Sequence, residues 1–268
     1  MPVVRVGLIG DPVEHSRSPR MHNAAFAALR MEARYELWHT LADELNARIA
    51  GLRAAGIVGA NVTVPHKQAV IPYLDEISET ARRIGAVNTI IPHDGRLIGD
   101  NTDAYGFRAS ILERYPDITP QRAVVLGAGG AARAVIVALQ EMGTREVLIA
   151  NRTLARAQDL AVELGAKATG WDDLSFTLRS TDVLVNATAL GWHDEEVLPD
   201  DVIADLPPQA LLVDLTYRDT PFLQSARRHN RRGLDGLGML IHQGVRSFEL
   251  WFGVTPPLGV MTAAALTG

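Results

Sequence analysis

The stretch R-A-V-V-L-G-A-G-G-A-A-R, Arg122 to Arg133, decides how the rest of this chain is read. Ala123 to Leu126 is a short apolar run of the kind a buried parallel strand shows. Three glycines follow, Gly127, Gly129 and Gly130, and then Ala132, Val135, Ile136, Leu139 and Met142 recur at helical spacing. Strand, glycine turn and helix in that order are the context of a dinucleotide-binding motif. Gly127 permits the tight turn, Gly129 lets the backbone approach a pyrophosphate, and Ala132 keeps helix and strand close. The free N–H groups and positive dipole end of the helix would face the phosphates. A glycine triplet in an Ala-rich chain also makes a plain tight turn, so the continuation has to decide.

That continuation is a second strand, Glu146 to Ala150, ending in Asn151-Arg152-Thr153. Dinucleotide folds read the ribose about 20 residues past the glycines, with an acid for NAD and an arginine for the 2′-phosphate of NADP. Here Arg152 and Arg156 stand in place of an acid, and a guanidinium matches phosphate in a bidentate pair. Solvated arginines at a helix start would read the same way in isolation. Behind the glycine motif, they imply NADP.

At 268 residues, and about 150 residues per domain, the chain fits two domains or one large one. Hydrophobic residues at 47% and charged residues at 21% describe a soluble globule with ample core. A net charge of −5 argues against nucleic acid or an anionic membrane as partner. With no cysteine, disulfides, thiol catalysis and cysteine metal sites are excluded together. No apolar run approaches the roughly 18 residues of a membrane span. The chain starts directly into a strand-like segment without a signal-peptide pattern, so a cytoplasmic enzyme is expected.

The first hundred residues alternate strand and helix. Strands are expected at Val3–Ile9, Arg34–Trp38 and Val58–Val64, with short ones at Val87–Ile91 and Arg96–Ile98 joined across Asp94-Gly95, a hairpin signal. Ser18 is expected to cap a helix that carries Pro19 at its first position. Further helices are expected at Leu41–Ala55, near Ile71–Ile84, and at Ala104–Tyr115. From Arg122 the pattern restarts, with later strands at Asp182–Asn186 and Leu211–Leu215, and Met239–Leu266 is helical by pattern. Two successive α/β domains are therefore expected: residues 1–103 plus 237–268, and a Rossmann-type domain over 104–236. Function is expected at the cleft between them.

Four polar clusters of the first half fall at element ends: His15–Pro19, Asn61–Lys67, Gly85–Thr89 and Gly99–Asp103. Each alone reads equally well as turn chemistry. Together they supply donors and acceptors for a small, hydroxyl-rich, neutral-to-acidic substrate. Beside NADP, the natural chemistry is hydride transfer at a carbinol carbon. One group must then take or give the hydroxyl proton. The eight histidines show no shared spacing and no metal signature, so no metal is expected. Lys67 and Asp103 are the candidates. Lysine occurs only at 67 and 167 among 26 basic residues, all the rest being arginine. A lysine inside a polar cluster, in such a chain, hints at a proton that arginine cannot release. Lys167, in a G-A-K-A-T loop, is read as a surface residue.

H-S-x-S-P-x-x-H-N, N-V-T-V-P-H-K, G-A-V-N-T, G-x-N-T-D-x-x-G, G-A-G-G-A-A-R, N-R-T and D-G-L-G-M-L-x-x-Q stand in that order from about Val6 to Trp251. In this joint pattern the chain resembles the shikimate dehydrogenases. The resemblance implies NADP-dependent reduction of 3-dehydroshikimate to shikimate in aromatic amino acid biosynthesis, the chorismate pathway. It implies that Ser16, Ser18, Thr63, Lys67, Asn88, Asp103, Tyr217 and Gln243 hold substrate, with Lys67 and Asp103 as the catalytic pair. It assigns Gly127, Ala128, Gly129, Gly130, Ala131, Asn151, Arg152, Thr153 and Arg156 to the cofactor, with Leu215 and Gly236 near the nicotinamide. The family's terminal helix returns to the first domain, bringing Gln243 to the substrate. Thr216 departs from the apolar residue usual in the family, and Trp192–Val197 falls in a loop expected to vary. The rival readings are a quinate or quinate/shikimate dehydrogenase and a non-catalytic NADP-binding sensor. Arg152 and Ser16 count against the first, and Lys67 together with Asp103 against the second. Monomer and homodimer are both compatible with the sequence.

Overall fold

Two six-stranded sheets organise the chain in a computed structural model that describes residues 3–267. Met1, Pro2 and Gly268, at the ends of the first expected domain, lie outside the described residues. One unit runs up to Gly106 and resumes at Leu240; the other spans Phe107–Met239.

The first unit contains β1 (Val4–Gly10), α1 (Ser18–Ala28), β2 (Ala33–His39), α2 (Leu45–Gly51), β3 (Ile57–Val62), β4 (Glu76–Ile77), α3 (Glu79–Ile84), β5 (Thr89–His93) and β6 (Arg96–Asp100). Helix α4 (Asp103–Arg114) leads out of it. The second contains β7 (Arg122–Leu126), α5 (Gly130–Glu141), β8 (Glu146–Ala150), α6 (Leu154–Leu164), β9 (Lys167–Thr169), α7 (Leu174–Leu178), β10 (Val183–Asn186), α8 (Asp200–Ala204), β11 (Leu211–Asp214), α9 (Pro221–Arg228) and β12 (Arg232–Leu234). Helix α10 (Leu237–Phe252) leads back, and α11 (Leu258–Leu266) completes the first unit against α1.

The sheet of the first unit runs β2-β1-β3-β5-β6-β4. Its strands β1, β2 and β3 are parallel, while β5 lies antiparallel to β3 and β6. Asp94 and Gly95 turn β5 into β6 with φ of 48° and 76°, the left-handed pair a two-residue hairpin needs. Ile9, Trp38, Ile49, Leu52, Val62, Ile90 and Leu97 form its core. Glycine at 59 has a packing reason: a Cβ there would lie 2.2 Å from Trp251 Nε1, which donates to Ile90 O at 3.0 Å. Gly59→Ala should therefore displace the indole that seats α10 on the sheet, at a cost of about 1–3 kcal/mol. Gly51→Ala, where the Cβ meets open space, is the control. Equal melting temperatures for the two variants would refute this account.

The second sheet runs β12-β11-β10-β7-β8-β9, all parallel. Read from β9, this is the doubly wound Rossmann order, with its switch point between β7 and β10. Val124, Leu126, Leu184, Leu212 and Phe222 lie in its core. Near-continuous apolar strands are what burial on both faces requires.

Several local expectations are corrected. Ser18 does not cap α1: the N-cap position falls on Arg17, Ser18 is buried inside the helix, and Ser16 Oγ accepts from the Ser18 N–H at 3.2 Å. The helix expected near Ile71–Ile84 is interrupted by β4. There Asp75 Oδ2 accepts from the Leu97 N–H at 2.6 Å, tying the chain to β6, and Ser78 caps a fresh start by accepting from Ala81 N–H. The helix expected to reach Ala55 ends at Gly51. Strand β3 stops at Val62, so Val64 is exposed rather than sharing the core face of Val62. The supposed loop at Lys167 is edge strand β9, where the lysine pairs with Glu146 at 2.7 Å.

Candidate active site

Three of the four polar clusters, Asn61–Lys67, Gly85–Thr89 and Gly99–Asp103, converge at the ends of β3 and β5, the start of α4 and one turn of α10. Lys67, just beyond β3, donates from Nζ to Asp103 Oδ2 at 2.6 Å. Both side chains are largely enclosed, 14% and 7% exposed. Asp103 opens α4, where the helix dipole favours a carboxylate. Asn88 Nδ2 donates to the second carboxylate oxygen at 2.8 Å, and the Asp103 N–H donates to Asn101 Oδ1 at 3.0 Å. An enclosed ion pair needs such additional hydrogen bonds to offset the loss of hydration. Lys67 carries three N–H donors and spends one on Asp103, leaving others for a ligand.

Gln243 on α10 joins the same group. Its Oε1 accepts from Asn88 Nδ2 at 3.4 Å and from Thr102 Oγ1 at 3.5 Å, while its Nε2 donates to Leu240 O at 2.8 Å. Lys67, Asn88, Asp103 and Gln243 thus form one connected set. Ser18 reaches it indirectly, through the Tyr35 phenol beside it and Asn61. Ser16 is engaged with the Ser18 N–H, and the Thr63 methyl lies against Gly10. Neither Ser16 nor Thr63 is brought into hydrogen-bond contact with the Lys67 group. Four buried residues are missed by the sequence reading of the site: Tyr35, Thr89, Thr102 and Ser247. Thr89 and Thr102 lie inside the quoted motifs. Ser247 carries one available signal, its spacing of one helical turn from Gln243.

His22 lies against this region, stacked on Tyr35 with centroids 4.5 Å apart and planes 4° from parallel. It is fully buried, with no hydrogen-bond partner for either ring nitrogen among the described residues, and burial pushes its pKa down to about 3. The unfolded chain takes up the proton below pH of about 6.5, whereas the folded one stays neutral. Stability supplied by the neutral ring is therefore present above that pH and lost as pH falls toward the folded pKa. Each pH unit costs up to about 1.4 kcal/mol. Between pH of about 7 and 5, wild type should lose about 2 kcal/mol more than His22→Phe in urea denaturation. Parallel losses in the two proteins would rule this out.

In the second unit, Gly127 takes φ of +110°, and a Cβ there would meet Ala187 O at 2.9 Å. Gly129 occupies the N-cap of α5 with open space around it, and no acidic residue stands in the first turn. Ala128, Gly130 and Ala131 line the same turn, half-buried. Arg133, the last residue of the motif, turns instead to Glu163 on α6 at 2.5 Å. After β8, Asn151 Nδ2 donates to Thr153 O at 2.9 Å, which shapes the turn into α6. Arg152 and Arg156 are exposed and make no ion pair among the described residues. A side-chain-free cradle at a helix N-terminus, followed by two free guanidinium groups, fits a dinucleotide carrying a 2′-phosphate.

At the end of β11, the buried Asp214 accepts from Asn186 Nδ2 at 3.2 Å, from the Thr216 N–H at 3.0 Å and hydroxyl at 2.9 Å, and from Thr220 Oγ1 at 2.8 Å. These bonds hold the turn bearing Leu215, Thr216 and Tyr217. The hydroxyl of Thr216 is spent on Asp214, which is how a polar residue fits there. Gly236 N–H donates to Thr216 O at 2.8 Å, and a Cβ at 236 would strike Leu215 O at 2.1 Å. Tyr217 meets Trp192 edge to face, centroids 5.5 Å apart, and Arg218 pairs with Asp194 at 2.7 Å.

A doubly wound parallel domain with a glycine cradle, in one chain with a domain bearing an enclosed lysine–carboxylate pair, defines a dinucleotide-dependent oxidoreductase. Three family models match: the shikimate dehydrogenase substrate binding domain over residues 8–90, shikimate / quinate 5-dehydrogenase over 110–219, and the shikimate 5′-dehydrogenase C-terminal domain over 236–266. A shikimate dehydrogenase (NADP(+)) of Symbiobacterium thermophilum is 44% identical, covering 97% of this chain and 93% of its own. The crystal structure of shikimate 5-dehydrogenase from Thermus thermophilus in complex with NADP(H) and shikimate is 41% identical, with a TM-score of 0.89 over 98% of both chains. Quinate dehydrogenase from Corynebacterium glutamicum in complex with NAD is 32% identical, with a TM-score of 0.91 over 98% of both. The chain belongs to the shikimate dehydrogenase family. Among the described residues, no helix is long and apolar enough to cross a membrane.

Proposed function

We propose that this chain catalyses the reversible NADP-dependent reduction of 3-dehydroshikimate to shikimate, in aromatic amino acid biosynthesis in the cytoplasm, as a monomer or homodimer. The observation that carries the reading is the enclosed Lys67–Asp103 pair at 2.6 Å, in a family whose relatives bear that activity in their names. Residues 1–103 with 237–268 form the substrate-binding domain, and residues 104–236 the NADP-binding domain.

NADP, when bound, would supply the redox chemistry, as hydride donor to the carbonyl carbon in its reduced form and hydride acceptor in its oxidised form. The carbonyl oxygen must gain a proton as the carbon gains hydride. Lys67 gives that proton from Nζ and recovers it when a hydroxyl is oxidised. Asp103 holds the ammonium in place and accepts a hydrogen bond from Asn88, which orients the carboxylate in turn. Ser16, Ser18, Thr63, Asn88, Tyr217 and Gln243 bind the remaining polar groups of the substrate. Gly127, Ala128, Gly129, Gly130 and Ala131 would cradle the pyrophosphate; Asn151, Arg152, Thr153 and Arg156 would hold the 2′-phosphate end; Leu215 and Gly236 would lie near the nicotinamide.

The test is the purified chain with shikimate and NADP, followed by NADPH absorbance, with quinate and NAD in parallel. Turnover is expected with shikimate and NADP and much less with either replacement. Faster turnover of quinate would assign the chain to the quinate branch, and NADP binding without turnover of either acid would make it a sensor.

A further inference from the structure

Behind the Lys67–Asp103 pair lies a buried chain of hydrogen bonds whose direction is forced by groups that can act in only one way. Asn88 O accepts only, and Asn61 Nδ2 stands 3.1 Å from it, so the Asn61 amide nitrogen faces Asn88 and its Oδ1 faces Tyr35. The Tyr35 hydroxyl, 2.9 Å from that oxygen, must donate. Asn61 Nδ2 also lies 3.0 Å from Ser247 Oγ and 3.2 Å from Thr89 Oγ1. Thr102 N–H, a donor only, meets Asn88 Oδ1 at 2.8 Å, which leaves Asn88 Nδ2 for Asp103. Thr89 Oγ1 then donates to Asn88 Oδ1 at 2.8 Å. Tyr35 therefore donates to Asn61, whose two amide hydrogens are shared among Asn88 O, Ser247 Oγ and Thr89 Oγ1, and Asn88 Nδ2 donates to Asp103, whose other oxygen takes Lys67. Such chains polarise their members, and a member left without a partner in an enclosed site is costly.

We propose that Tyr35 is a positioning residue for the proton-handling pair, acting through Asn61 and Asn88 to keep the Asn88 amide nitrogen on Asp103. The inference rests on the reading of Lys67 and Asp103 as that pair. Tyr35 is 2% exposed, and its ring packs on His22, so a phenylalanine fills the same space. Loss of the hydroxyl alone leaves Asn61 Oδ1 buried without a donor. Asn61 relieves this only by leaving Asn88 O and Ser247, the contacts that hold the polar layer under the site.

Tyr35→Phe is compared with wild type, in the otherwise unchanged chain and in the Asp103→Asn background, using shikimate and NADP. The expected result is a fall in kcat/KM for shikimate of about tenfold, the worth of one hydrogen bond, with KM for NADP unchanged. In Asp103→Asn, whose terminal acceptor is altered, the same substitution should cost under about twofold, because coupled residues are not additive. A lower melting temperature with unchanged kcat/KM, or the same factor in both backgrounds, would show a merely structural tyrosine and overturn the proposal. If Tyr35→Phe does not fold, Ser247→Ala loosens Asn61 from the other side. It should lower kcat/KM for shikimate about two- to threefold at constant KM for NADP, and no change there overturns the proposal equally. Wild type assayed alongside separates the cases: its inactivity removes the functional reading and this inference with it, while normal wild-type turnover with unaffected variants removes this inference alone.

Discussion

Lys67→Ala is expected to fold, to bind NADP normally, and to lose kcat by about 10²–10⁴ with little change in KM for shikimate, since general acid–base catalysis contributes on that order. If the ammonium only binds, the same substitution should raise KM and spare kcat. Lys67→Arg separates the two. It keeps a positive charge opposite Asp103, but a guanidinium does not release its proton in the working range, so turnover should also be lost. The enclosure of the pair sharpens the test. Lys67 spends one donor on Asp103 at 2.6 Å, and Asp103 is held from its other side by Asn88. In the arginine variant, charge and carboxylate geometry thus keep their partners, and only the transferable proton differs. An arginine enzyme with near-normal turnover would leave Lys67 an electrostatic anchor.

Arg152→Ala should weaken NADP by about ten- to hundredfold, the loss of charge-assisted bonds worth roughly 1.5–3 kcal/mol, and leave NAD little changed. Arg122 pairs with Glu146 at 2.8 Å and Arg133 with Glu163 at 2.5 Å, so removing either breaks an internal contact. Arg152 makes no ion pair among the described residues, and its removal should leave the melting temperature where it was. The ratio of KM values for NADP and NAD, measured beside thermal unfolding, checks both statements. Equal weakening of the two cofactors would mean that Arg152 shapes the turn instead of reading the phosphate.

The sequence by itself determined what depends on neighbours in the chain. The apolar run of β7, the glycines after it and the helical spacing from Ala132 are local signals, and φ of +110° at Gly127 is a demand one residue can meet alone. The same holds for Asp94-Gly95, whose two left-handed residues make the hairpin without help from elsewhere. Elsewhere tertiary hydrogen bonds outweigh local preference. The helical pattern from Ile71 to Ile84 gives way to β4 because Asp75 is bound to Leu97 on β6. Ser18, with an N-cap's composition, is drawn into the helix and buried. The three-residue strands β9 and β12 are too short to carry a period and exist because β8 and β11 offer them edges.

The active-site set divides the same way. Lys67, Asn88 and Asp103 stand out as polar residues at element ends, an oddity visible one cluster at a time. Their arrangement is not visible, because the contacts join residues far apart in the chain: Asn61 meets Ser247 across 186 positions and Asn88 meets Gln243 across 155. Composition marks a tyrosine on a strand as ordinary core. Only the folded chain, by setting the fixed acceptor of Asn88 O against Asn61, turns Tyr35 into an obligatory donor behind the site.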